Sequence, residues 1–275
     1  MPELPEVETV CRGLRSRLLG RRIVSAEVRR PDLRIPFPEN FAEQLTGRRI
    51  DSIERRAKYI LSRLDNGIVL ICHLGMSGRL LISDVPSRLG PHDHVFILFE
   101  DDVNVVMQDV RRFGLMTLVS EVEMVTHPLL VNLGTEPLSD QFDGAYLSQA
   151  LKDRRMPIKA ALLDQRIVAG IGNIYACEAL YHAGVSPRRL AASVAGRRAE
   201  KLVLALKLVL QAAIAAGGST LRDFVQASGE LGYFQHQWAV YSREGESCPN
   251  CDCLSGIKRI AQSGRSTFYC PIRQR

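Results

Sequence analysis

The hydrophobic positions change period along the chain. Leu4, Val7, Cys11, Leu14 and Leu18 step by three and four residues and trace one apolar stripe on a helix. Pro5 suits its first turn and Gly20 its end. Short β-branched runs with turns between them follow, and they predict strands at 22–28, 50–55, 59–64, 68–73, 79–83, 94–100, 103–108 and 115–120. Asp65, Asn66 and Gly67 form a hairpin turn between two of these runs. Short strands with tight connections predict a sandwich or barrel with the first helix beside it.

The period then lengthens. Residues 132–143 read as loop, with Gly134 and Pro137 breaking any pattern. Helices are expected from a Ser139 cap to about residue 152, then at 158–165, 174–183 and 197–216, with Gly184 and Gly217-Gly218 as stops. From Trp238 onward the chain reads as a small β-hairpin carrying cysteines. The expected class is α+β: an N-terminal β-sandwich with a packed helix over 1–133, a linker over 134–147, a helical domain over 148–237 and a terminal hairpin over 238–275.

Composition adds a partner. Lys and Arg number 36 against 30 acids, and the excess is unevenly placed. Between Cys11 and Arg34 there are eight arginines and two acids, and no acid follows Asp252. Clustered basic charge points to a polyanion, nucleic acid first, although a solvated basic face with no partner reads the same in charge alone. No run approaches the ~18 apolar residues of a membrane span, and the acidic start lacks a signal-peptide profile. Four of the seven cysteines (Cys248, Cys251, Cys253 and Cys270) crowd the C-terminal end, which suits a metal site in a reducing compartment better than a disulfide framework. The expectation is a cytoplasmic monomer with no membrane partner.

Pro2 and Glu3 bring chemistry. Removal of Met1 leaves Pro2 with a free secondary amine, and an α-amino group near pKa 8 is roughly one-tenth neutral at pH 7. Its attack on a sugar C1′ gives an iminium that cannot lose charge by deprotonation at nitrogen, a persistent electron sink. Glu3 stands close enough to protonate the opening sugar ring. Taken alone, Met-Pro-Glu reads more simply as a helix lead-in.

The motifs narrow this. Met1-Pro-Glu-Leu-Pro-Glu-Val-Glu-Thr9, Arg56-Ala-Lys-Tyr59, His73-Leu-Gly-Met-Ser-Gly78, Asp109-Val-Arg-Arg-Phe-Gly114, Gly170-Ile-Gly-Asn-Ile-Tyr-Ala176 and Gln262-Ser-Gly-Arg-Ser-Thr-Phe-Tyr-Cys270 resemble, in order and spacing, the bacterial formamidopyrimidine-DNA glycosylase family. The resemblance implies a helix–two-turn–helix element in the helical domain and a zinc-finger-like terminal hairpin. It makes Pro2 the nucleophile, Glu3 its acid/base partner and Lys58 the lysine beside the lesion. Arg265, the phosphate-gripping arginine of the hairpin, completes the catalytic set. Met76, Arg111 and Phe113 match the side chains that fill the gap when a base leaves the stack. By spacing alone, Met76 and Phe113 read as core residues. His73 matches a phosphate contact, with a satisfied buried histidine as the plain alternative. His92 and His94 flank Asp93, where a structural role is simplest, with His94 kept among the DNA-contact candidates. Lys159 and Asn173 match phosphate-binding positions. Glu6, one turn beyond Glu3, is placed to organise the pocket, and the loop from Ser219 to Tyr233 resembles the segment closing over a flipped base.

The cysteines depart from the family pattern. Its finger has two cysteine pairs, whereas the second pair here reads Cys270-Pro-Ile-Arg273. The expectation is one zinc ion on Cys248, Cys251, Cys253 and Cys270. A three-cysteine site completed by water or a side chain, and a metal-free hairpin, remain open alternatives. The implied activity is bifunctional: excision of oxidised purines (8-oxoguanine, formamidopyrimidines) from damaged double-stranded DNA through a proline Schiff base, then β,δ-elimination at the abasic site. An endonuclease VIII type acting on oxidised pyrimidines is the alternative enzyme, disfavoured by Leu4 where that branch carries glycine. A non-catalytic DNA-binding module is the alternative of another class.

Overall fold

In the computed structural model, which describes residues 1–85, 89–219, 227, 232–251 and 254–275, the apolar stripe becomes α1 (Leu4–Leu18). The β-rich stretch follows as β1 (Ile23–Val28), a short α2 (Phe41–Leu45), β2 (Ile50–Arg56), β3 (Tyr59–Leu64), β4 (Ile68–His73), β5 (Arg79–Ser83), β6 (Asp93–Phe99), β7 (Asn104–Gln108) and β8 (Leu115–Ser120). These strands form two antiparallel sheets, ordered β1-β6-β7-β5 and β2-β3-β4-β8. Ile23, Ile97, Phe99 and Met107 of the first sheet share one core with Ile53, Ile60, Leu70 and Met116 of the second and with Val7, Val10 and Leu14 of α1. Two side chains fasten α1 to β2: Arg15 Nε donates to the Ile53 carbonyl at 2.9 Å and Cys11 Sγ to that of Glu54 at 3.7 Å. Burial pushes the Cys11 thiol up to about 12, so it packs rather than reacts.

The remainder is helical until its end: α3 (Gly144–Leu151), α4 (Ile158–Leu163), α5 (Asn173–His182) and α6 (Arg197–Ala215), then β9 (Lys258–Gln262) paired with β10 (Arg265–Tyr269). The cap of α3 is Asp143, whose carboxylate accepts the Tyr146 N–H at 2.7 Å. Ser139, expected as that cap, instead spends its hydroxyl on the Glu136 carbonyl at 2.9 Å. No helix among the described residues is long and apolar enough to cross a membrane.

The chain clusters into two compact units, Met1–Val131 with Ile214–Gln235, and Asn132–Ala213 with His236–Arg275. Within the first, Ala227 O accepts the Ile82 N–H of β5 at 2.9 Å. A Cβ on Gly13 of α1 would approach the Ala227 methyl to 2.9 Å, so only glycine permits that contact.

In the second unit one buried carboxylate joins the hairpin segment to α5. Glu178, 1% exposed, accepts the backbone N–H of Ala239 at 2.8 Å, Val240 at 3.0 Å and Tyr241 at 2.8 Å. Gln274 adds a second tie, accepting the Cys270 N–H at 2.8 Å and donating to the Val185 carbonyl at 3.0 Å. Glu178→Ala strands three buried donors and is expected to cost about 3 kcal/mol or more. Urea denaturation measures this, and a midpoint equal to wild type would refute it.

Candidate active site

The site begins at the chain's end. Pro2 and Glu3 are buried while Met1 is exposed. Glu3 is the N-cap of α1 and forms a capping box with Glu6, whose Oε2 accepts the Glu3 N–H at 2.8 Å. The other oxygen of Glu6 accepts the Ser219 N–H at 2.8 Å. Gly218, at φ +81°, lies so close that a Cβ there would stand 3.2 Å from Glu6 Cγ. Ser219 in turn bridges to Tyr233, so both described ends of this loop root beside the first turn of α1. Within Ser219–Tyr233, the residues other than Ser219, Ala227, Gly232 and Tyr233 lie outside the described set.

Lys58 sits in the two-residue turn between β2 and β3 and is 7% exposed. Its neighbour Ala57 has φ 53°, an unfavourable conformation for a residue with a Cβ. Arg55 braces it, donating Nη1 to the Ala57 carbonyl at 3.0 Å and Nε to Glu8 of α1 at 3.2 Å. The Glu8–Arg55 pair, which sequence reading missed, thus ties the lysine turn to the helix bearing Pro2 and Glu3. Neither residue carries a spacing signal that would have exposed it.

His73 faces Tyr59 across β3 and β4, with ring centroids 4.9 Å apart. Its Nδ1 accepts the Gly75 N–H at 2.9 Å, which leaves the ring proton on Nε2. Burial, with Lys58 and Arg34 nearby, lowers its pKa from 6.5 to about 4. His73 is therefore a neutral hydrogen-bond donor at physiological pH, not a cation.

Met76 and Phe113, candidates for the core by spacing, are instead 37% and 46% exposed. The Arg111 guanidinium lies 4.9 Å from the centre of the Phe113 ring. One expectation needs correction here. His94, kept as a DNA contact, is 4% exposed with Nε2 2.8 Å from the Asp109 carbonyl oxygen, so it braces the turn that carries Arg111 and Phe113 from inside.

In the second unit, Gln165 props the turn before α5. Its Nε2 donates to the Ile171 carbonyl at 2.9 Å and its Oε1 accepts the Gly170 N–H at 2.8 Å. Asn173 opens the helix and its Nδ2 donates to the Ser266 carbonyl at 2.9 Å. Lys159 likewise departs from an open phosphate contact. It is fully buried, with Nζ 3.1 Å from the Ser266 carbonyl and 2.7 Å from Thr267 Oγ1, because a buried ammonium must be partnered. Both side chains grip β10 next to the exposed Arg265.

The sulfur atoms of Cys248, Cys251 and Cys270 lie within 4.8 Å of one another. Tetrahedral zinc with ~2.3 Å Zn–S bonds holds its sulfurs roughly 3.8 Å apart, so the trio fits three corners of such a site. Burial opposes ionisation of Cys248, but hydrogen bonds from Tyr181, Asn250, Cys251 and Cys270 prevail and bring its thiol down to about 7. Arg273 occupies the expected fourth-ligand position with its guanidinium 5.1 Å from the Tyr181 ring centre, while its N–H donates to Cys270 Sγ at 3.4 Å. Cys253 lies outside the described residues.

Comparison with known proteins agrees with this layout. Residues 1–116 match the model of the formamidopyrimidine-DNA glycosylase N-terminal domain, and residues 133–225 that of the formamidopyrimidine-DNA glycosylase H2TH domain. The chain is 56% identical over 292 residues to a formamidopyrimidine-DNA glycosylase of Rhodospirillum centenum, covering all of both chains. It is 54% identical over 286 residues, again end to end, to one of Cereibacter sphaeroides. Among solved structures, it resembles the MutM (Fpg) protein of Thermus thermophilus at a TM-score of 0.87 and 40% identity, covering 99% of this chain and 98% of that one. Lactococcus lactis Fpg, crystallised with DNA containing N7-benzyl-Fapy-dG, matches at a TM-score of 0.90 and 34% identity over 99% of each chain. These matches run through both compact units and all the motifs above. The chain belongs to the formamidopyrimidine-DNA glycosylase family.

The histidine makes a testable claim. Its depressed pKa means that the unfolded chain binds a proton between pH 6.5 and about 4 that the folded chain refuses. Stability from this group is full above pH 6.5 and falls as pH drops toward 4, by on the order of 3 kcal/mol. Urea denaturation should show wild type losing stability relative to His73→Gln by on the order of 3 kcal/mol as pH falls through that window, and parallel curves would sink the assignment.

Proposed function

We propose that the chain is a bifunctional base-excision enzyme that removes oxidised purines from damaged double-stranded DNA and then cleaves the abasic strand. The observation that carries this reading is the buried Pro2–Glu3 segment, fixed by Glu6 within a chain that aligns end to end with relatives in the family. After Met1 is removed, the Pro2 nitrogen attacks C1′ of the damaged nucleotide. The bond from C1′ to the base breaks and the base leaves with its electron pair. Glu3 supplies a proton to O4′ as the ring opens, which leaves an iminium between Pro2 and C1′. Loss of a C2′ proton expels the 3′ phosphate, and a second elimination expels the 5′ phosphate. Lys58 contacts DNA beside the reacting sugar, and neutral His73 donates Nε2–H to a phosphate. Arg265 grips the backbone, its strand held by Lys159 and Asn173. Met76, Arg111 and Phe113 fill the gap left by the flipped nucleotide. The Arg111 and Phe113 pair, with Leu4 after Glu3, supports purine over pyrimidine lesions.

Cys248, Cys251 and Cys270 hold one zinc ion in this reading, with Cys253 as the fourth ligand. Zinc would supply a structural cross-link to the hairpin, not a reacting group. The protein purified without added metal should carry close to one equivalent, and Cys270→Ser should lose it. A content below about 0.2 equivalents in the wild type would overturn the site.

Borohydride trapping tests the chemistry, with N-terminal processing first checked by mass. Wild type should cross-link to a duplex containing 8-oxoguanine opposite cytosine. Pro2→Gly should lose the adduct, while Lys58→Ala should retain it at a reduced rate. An adduct that survives in Pro2→Gly, or none from correctly processed wild type, would reject the proposal.

A further inference from the structure

Asp109 is a carboxylate with no accessible surface, and the chemistry above does not use it. Burial of a charge is costly unless its oxygens are satisfied. Here they are. Oδ1 accepts the Ser77 hydroxyl at 2.6 Å and the Arg111 N–H at 3.3 Å, and Oδ2 accepts the Gly114 N–H at 2.8 Å. Ser77 Oγ itself accepts the Arg111 N–H at 3.1 Å. One side chain therefore joins the turn that presents Met76 to the turn that presents Arg111 and Phe113.

The two turns also meet backbone to backbone. A Cβ on Gly75 would lie 2.3 Å from the Phe113 carbonyl carbon, and one on Gly114 would lie 3.0 Å from both Asp109 Oδ2 and the His73 carbonyl. Arg112, between the two wedge side chains, is held at φ 58°, a conformation that β-carbon sterics disfavour. From beneath, His94 bonds the Asp109 carbonyl. Three side chains that sequence assigned to one task thus stand on a single fixed platform, and Asp109 is at its centre.

We propose that Asp109 is a positioning residue for base displacement. Its carboxylate locks Met76, Arg111 and Phe113 into one preformed wedge, so the vacated space is filled in one step instead of by side chains that order separately. The proposal rests on reading those three as the wedge. Its physical basis is preorganisation: every side chain that must be ordered on binding adds an entropic cost to that of unstacking a base. A loosened platform therefore slows eversion and leaves the chemistry of an already extruded sugar intact.

The test compares a substrate that needs the wedge with one that does not. Asp109→Asn keeps the size of the side chain but sets an NH2 group against the Arg111 or Gly114 amide. Ser77→Ala removes the same link from its other end and stands in if the first variant folds poorly. In single-turnover excision of 8-oxoguanine from duplex DNA, both variants should be slowed by about tenfold or more. The fluorescence rise of 2-aminopurine placed next to the lesion should slow in parallel. Borohydride trapping on an abasic site in single-stranded DNA should stay within about twofold of wild type. Equal losses on both substrates would reduce Asp109 to a folding role and overturn the proposal, as would unchanged duplex kinetics. A wild type that traps neither substrate would instead overturn the function proposed above, and the wedge with it.

Discussion

A chain end is ordinarily the loosest part of a domain, and the proposed mechanism asks this one to carry the reactive group. The carboxylate of Glu6 removes that freedom. One oxygen holds the Glu3 amide and the other the Ser219 amide, each at 2.8 Å. The arrangement works because α1 cannot slide, being fastened to β2 through Arg15 and Cys11. Ser219 and the Pro2–Glu3 segment then share one anchor, so what holds one in place also holds the other.

The same economy recurs where polar groups are buried and apolar ones exposed, an inversion that marks working surfaces. Met76 and Phe113 face solvent because Asp109 is inside. Arg265 is exposed at the start of a strand whose next residues are clamped by the buried ammonium of Lys159. Glu178 gives up its charge to three backbone amides so that the segment leading to the hairpin has a fixed origin. In each case an interior charge is satisfied by backbone groups, with a hydroxyl added at Asp109 and Lys159, and its work is to hold a surface segment in place.

Sequence made the strands readable because alternation of β-branched residues is imposed locally, and all the expected strands form. The short α2 escaped notice: five residues are too few to show a helical period. Ser139 and Asp143 are equally good caps on paper, and only the capture of the Ser139 hydroxyl by Glu136 decides between them. In the candidate site, motifs singled out Pro2, Glu3, Lys58, Met76, Arg111 and Phe113. Periodicity could not reveal that Lys159 and His94 point inward, because a polar residue in a helix or strand reads as exposed until its partner is known. Asp109 lay within a recognised motif, yet its importance depends on Ser77, over thirty positions away. Distant partners of this kind are set by topology and leave no trace in local spacing.

The terminal hairpin turns through Ser263 and Gly264, both left-handed at φ 49° and 73°, which places Arg265 directly opposite Gln262. In a two-stranded ribbon side chains alternate between faces, so parity is everything: a slip of one residue would send Arg265 to the opposite side. The turn forbids that slip, and the Gln262 amide, bonded to the Pro187 carbonyl at 3.1 Å, fixes the same parity from outside the ribbon. Which face the arginine occupies is thus encoded in backbone handedness at two residues. A drift among the cysteines, such as the arginine at position 273, can alter how firmly the ribbon is held without changing which side of it the arginine is on.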